Sequence, residues 1–197
     1  MKNESKFVQN VKSKLTNKEF NEDFMVSHFF TQYKLKSADF FVTQLEQIEK
    51  SETAGIVGNR RNEARIYIDC FCYELDSTYD GIFNEINSSF KLGYKHGWAF
   101  RQKIQNYLRN QNSSAMKMID AQWENWIKNF KVERNDYTHI KIRGQHIHYE
   151  LGKSIEVYDR YDMLDPNKKT LVKKLRDYYN KMYNLIDDVY EELNKEL

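Results

Sequence analysis

From Met1 to Asp165 the chain carries no proline, and its single proline is Pro166. Seven glycines are spread over 197 residues. Proline lacks the N–H a helix needs, and glycine loses the most entropy when fixed, so these two residues end helices most sharply. A chain so poor in breakers favours long helices over a turn-rich β fold. The apolar periodicity agrees. Leu171, Leu175, Tyr178, Met182, Leu185, Val189 and Leu193 recur every three or four residues, which is one stripe of a helix. The same spacing links Phe20, Phe24, His28, Thr31, Leu35, Ala38, Val42 and Leu45. It predicts a helix over 17–49 with Asn17 as N-cap. Phe29, Phe30, Tyr33, Phe40 and Phe41 widen the apolar surface of that helix, giving it a second face to bury.

The loop "SETAGIVGN" separates it from a second helix over 60–90, whose stripe is Ala64, Ile68, Phe71, Leu75, Tyr79, Ile82 and Ile86. "KLGYKHG" interrupts with two glycines. A short helix follows over 99–110, and another opens with Ser113 or Ser114 as N-cap. β-branching and alternation in "THIKIRGQHIHYELGKSIEVYD" predict a small β-hairpin or meander. Pro166 then suits the start of the last helix. The expectation is a single all-α domain, an up-and-down bundle of about five helices with its core over 17–197. The β-hairpin is inserted before the last helix.

Formal net charge is only +2, so any site for a polyanion must be a local patch. Arg60, Arg61 and Arg65 make one basic cluster, either plain surface charge or an RNA-backbone contact. Glu74, Asp76 and Asp80 read as a solvated helix face, one of which can hold an arginine. Cys70 and Cys72 point about 160° apart on a helix and should not bridge. No apolar run of signal-peptide or membrane-span length occurs. With free thiols, this predicts a cytoplasmic protein without membrane contact. His146 and His148 share a strand face, but no tight set of metal-ligand spacings surrounds them, so no metal is expected.

The helix opening at Ser113 or Ser114 has the stripe Met116, Ile119, Trp123, Trp126 and Phe130, and its next place is Arg134. An arginine on a core stripe needs a partner, a cleft or an interface. Asn135 follows it, and His139 lies four residues beyond Asn135, on the same face if the helix continues. The bare Arg-to-His spacing is weak, since Arg143 and His148 repeat it in the predicted hairpin.

"RNDYTH" resembles the Arg-Asn-x-x-x-His signature of HEPN-domain proteins, which are all-α bundles with this motif near the end of a late helix. "CYELDSTYDGIFNEIN" is similar to the acidic and aromatic helix that packs beside the motif helix in that superfamily. The resemblance implies a metal-independent endoribonuclease without a cofactor, acting as a toxin or in phage defence. It also implies a homodimer with two motifs across one cleft. Arg134, Asn135 and His139 would be the catalytic residues. Arg60, Arg61, Arg65 and Lys141 are candidate RNA contacts. A protein antitoxin is a possible further partner, and a non-catalytic dimeric scaffold is the alternative. Some family toxins carry a tyrosine two residues after the histidine, where a partner enzyme modifies them. Here that place is Lys141, against that mode of neutralisation.

Overall fold

A computed structural model describes residues 1–50, 57–135, 146–148, 156–158 and 170–197. The helices are α1 (Glu4–Lys14), α2 (Met25–Lys50), α3 (Val57–Ser89), α4 (Phe100–Asn110), α5 (Ser114–Gln122), α6 (Lys128–Asn135) and α7 (Leu171–Glu196). A π-helical turn at Trp123–Ile127 joins α5 to α6, so 114–135 is one continuous helix, and six helices make up the described bundle. Another π-helical stretch, Glu19–Phe24, leads into α2. No helix among the described residues is long and apolar enough to cross a membrane.

Every residue on the predicted stripes of α2 and α7 is buried. α2 packs along much of α3, and α7 lies against α1, α2 and α5. The core also reaches in front of residue 17, which the sequence reading did not expect. Phe7 and Val11 of α1 are fully buried. Phe7 stacks on Tyr190 with ring centroids 4.6 Å apart. The Asn3 backbone N–H donates to Asp187 Oδ1 at 2.8 Å. An eleven-residue helix is marginal alone, so α1 owes its stability to this docking on α7.

The helix ends have specific chemistry. Thr16, not Asn17, opens the second helical run. Its backbone N–H donates to Glu19 Oε2 at 2.8 Å, and the Glu19 N–H donates back to Thr16 Oγ1 at 3.3 Å. This is a reciprocal capping box. Lys91, 2.9 Å from Glu19, together with Thr16 pulls the Glu19 carboxyl down to about 2. α3 is stopped by Lys91, which takes the left-handed conformation at φ 53°. The Leu92 and Lys91 N–H groups reach back to the carbonyls of Asn87 and Ser88, the Schellman arrangement usually made with glycine. Ser113 caps α5. Thr170 caps α7, whereas Pro166 lies outside the described residues.

Ahead of α7, β1 (His146–His148) and β2 (Glu156–Tyr158) pair antiparallel with Ile147 opposite Val157. The other residues of the expected β insertion lie outside the described ones. One face of α2 is not covered. Val26, Phe29, Phe30, Tyr33 and Phe40 are all exposed, so four of the five residues read from the sequence as a second apolar face point outward in the single chain, while Phe41 packs half-buried against the core.

Candidate functional site

Helix 114–135 carries its stripe inward as the spacing predicts. Met116, Ile119, Trp126 and Phe130 are buried and Trp123 packs against the core. The π-helical turn adds a residue to one turn and so brings Ile127 into the core as well. Arg134 arrives one turn after Phe130, directed at α3. Its Nη2 lies 3.5 Å from Asp76 Oδ2, and its Nη1 donates to Asn135 Oδ1 at 3.0 Å. Lys131, one turn earlier, donates to the other Asp76 oxygen. The cations occupy the last turns of the helix, where the backbone carbonyls favour positive charge.

Two further contacts fix this end. Glu133 accepts from Lys174 at 2.8 Å and from the Tyr178 hydroxyl at 3.1 Å, which ties α6 to α7. Lys131 Nζ sits 5.2 Å from the centre of the Tyr79 ring, a cation–π distance. Burial pushes the Tyr79 and Tyr178 hydroxyls well above their usual range, with Glu133 adding to the effect on Tyr178. Both stay protonated near neutral pH, and Tyr178 acts as a donor. Cys72 is buried under the site, and burial holds its thiol protonated, so it is an inert core residue. Cys70 is half-buried and free.

The acidic residues of α3 correct the sequence reading. Glu74 and Asp76 are largely covered rather than solvated, and of the three only Asp80 keeps the exposure of a surface face. Glu74 pairs with Lys34 of α2 at 3.0 Å. Asp76 holds α6. Asp80 accepts from Arg101 of α4 at 3.1 Å. Each joins α3 to a different helix.

Of the residues singled out for chemistry, the structure brings Arg134 and Asn135 together. Arg65 is exposed on α3, about 16 Å along the helix from Asp76 by the helical rise. Arg60 and Arg61 belong to the first turns of α3, and their side chains are not among those described. His139 and Lys141 lie outside the described residues. Sequence reasoning missed Lys131 and Arg101. Lys131 stands three residues before Arg134, so their shared face was legible. Arg101 joins the site only through the packing of α4 on α3.

Comparisons with family models, curated proteins and solved structures each found no match.

Proposed function

We propose that this chain is a metal-independent endoribonuclease of the HEPN type, working as a homodimer. The observation that carries the reading is the Arg134–Asn135 pair at the end of α6, with the guanidinium bonded to the neighbouring amide and braced by Asp76. A braced guanidinium presents planar donors that match phosphate oxygens. In the proposed reaction the 2′-hydroxyl oxygen of RNA forms a bond to the adjacent phosphorus, and the bond to the 5′-oxygen breaks. The attacking oxygen loses a proton and the departing oxygen gains one. His139 is the group suited to both transfers near neutral pH. Asn135 orients the imidazole or the phosphate, and Arg134 neutralises charge on the pentacoordinate phosphorus. A two-fold dimer would supply two histidines, so acid and base can come from different subunits. A toxin or defence role with a protein antitoxin accords with this chemistry.

The test is cleavage of labelled tRNA and mRNA in EDTA by wild type, Arg134→Ala and His139→Ala. Cleavage by wild type and a loss of at least about a hundredfold in both variants is expected. Equal cleavage by His139→Ala overturns the assignment.

A second reading has its own observation. The exposed stripe of Val26, Phe29, Phe30, Tyr33 and Phe40 on α2 suits a helical interaction module without catalysis. A dimer that never cleaves RNA and loses self-association on Phe29→Asp would favour it.

A further inference from the structure

A second feature lies one to two turns along α3 from Asp76. A cleft of about 290 Å³ opens between α3, the start of α4 and the segment before it. Asp80, Asn84, His96, Trp98, Phe100 and Arg101 line it. Its outer wall is held in place. Asn87 accepts from the Tyr94 N–H at 3.1 Å and donates to the Tyr94 carbonyl at 3.2 Å. His96 stacks on Phe100 with centroids 4.5 Å apart. Yet Trp98 is 98% exposed, with its indole in water beside the cleft. Asn84 Oδ1 is buried and has no hydrogen-bond partner among the described residues. The unsatisfied buried amide costs free energy that a donor reaching it would recover, and the bare indole is free to stack on a ligand.

The lining chemistry defines that ligand. The indole offers a stacking face. The Asn84 amide and the Asp80 carboxylate offer acceptors. Arg101, which pairs with Asp80, offers charge to a phosphate. The volume lies at the small end of ligand sites, which start at about 300 Å³, and so fits a nucleoside-sized group. We propose that this cleft binds a nucleobase carrying an exocyclic amino group, stacked on Trp98 and donating to Asn84 and Asp80. This rests on the reading of the chain as a ribonuclease and adds a base-recognition subsite to it. Asp76, Asp80 and Asn84 follow one another at four-residue spacing, about 12 Å in all by the helical rise. A strand with its backbone at Arg134 and Lys131 would therefore place a nearby base in the cleft. Adenine, cytosine and guanine carry the amino donor, and uracil does not.

The experiment is fluorescence anisotropy of end-labelled oligo(A), oligo(C) and oligo(U) of equal length, with AMP as a competitor. Wild type, Trp98→Ala, Asn84→Leu and Arg134→Ala would be compared, with circular dichroism confirming the fold of each. Tighter binding of oligo(A) and oligo(C) than of oligo(U) is expected. Trp98→Ala should weaken binding at least about tenfold, and Asn84→Leu should erase the preference against uridine. Saturable binding of AMP at the affinity of the oligonucleotides would mark a free nucleotide as the ligand. Equal binding of oligo(U), or no effect of Trp98→Ala, overturns the proposal. If Arg134→Ala and wild type both fail to cleave but keep the base preference, the ribonuclease reading fails and the base site stands. If wild type cleaves while Trp98→Ala binds and cleaves as wild type does, the reverse holds.

Discussion

Glu85→Gln should destabilise the protein strongly at pH 6 and progressively less above neutrality. Glu85 is buried on α3, where its Oε2 lies 3.1 Å from His28 Nδ1. It also accepts from the Tyr190 hydroxyl at 3.0 Å. The other ring nitrogen, His28 Nε2, lies 3.2 Å from Glu4 Oε1. Ionised carboxylates only accept, so a ring that serves both must donate from both nitrogens, which makes it an imidazolium. Burial alone would lower the His28 pKa, but Glu85 and then Glu4 outweigh it, and the net shift is upward. A raised histidine contributes stability that is complete below the unfolded value of about 6.5 and is lost as pH rises through the folded value. The amide introduced by Glu85→Gln removes the buried counter-charge and sets an N–H against a donor. Removing one partner of a buried pair costs about 3–5 kcal/mol. For a domain of this size that is about 6–20 °C in Tm, at about 2–4 °C per kcal/mol. The assay is thermal and urea unfolding of both proteins between pH 5.5 and 9. A Tyr190→Phe control separates the two effects, since it loses a hydrogen bond but keeps every charge in place. Its cost, about 1–2 kcal/mol, should be nearly constant with pH. A Glu85→Gln protein within about 1 kcal/mol of wild type at pH 6, a gap far below the cost of breaking a buried pair, would refute the imidazolium. So would a gap that widens with pH.

Gly81→Ala should destabilise, although alanine is the better helix former by about 1 kcal/mol. The added Cβ would sit 2.6 Å from Thr31 Oγ1 and 3.3 Å from Thr31 Cα. Thr31 is buried and bonded to the Ser27 carbonyl, so overpacking by about 1–3 kcal/mol should win; a raised Tm would contradict this. Glu196→Ala should cost about 1–2 kcal/mol, because its carboxylate accepts from the Ser113 hydroxyl and from the Ser114 and Ala115 N–H groups at the start of α5. Faster amide exchange at Ser114 and Ala115 is the sign to look for, and an unchanged melt with unchanged exchange would exclude the cap.

The long helices were legible because their stripes obey one local rule. Eight positions of α2 and the turn before it, chosen by spacing, are all buried. α1 was not, since Phe7 and Val11 form too short a stripe to stand out among lysines and asparagines. The capping box at Thr16 and Glu19 was written in "TNKE", but Asn17 is an equally good cap in isolation, and only the reciprocal bond decides. Arg134 on the inner face was legible from the Phe130 spacing. Its partner was legible only as one of three acidic candidates on α3, because Asp76 lies fifty-eight residues away and nothing local selects it over Glu74 or Asp80. The cleft at Trp98 was hidden for the same reason. "KLGYKHG" reads as a loop, and the walls of the cleft come from α3 and α4.

Four carboxylates on α3 hold basic groups from other helices, and burial sorts them. Glu85 and His28 are sealed, so their pair bears on stability and cannot meet a ligand. Asp80 lies toward solvent with a side-chain exposure of 56%, whereas Asp76 is largely covered at 16%. An exposed pair such as Asp80–Arg101 contributes only about 0–1 kcal/mol. Stability therefore gives little reason to set Arg101 on the same strip of α3 as Lys131 and Arg134, with Tyr79 and Trp123 packed beneath them. A strip that serves to bind explains the gathering better, since cations set beside aromatic rings and acceptors are what a nucleic-acid strand requires. The same sorting makes the tests readable. Alanine at Arg101 removes a partly exposed cation and leaves the core intact, whereas Arg134 is largely covered, so its variant is read beside circular dichroism before a loss of cleavage is assigned to the site.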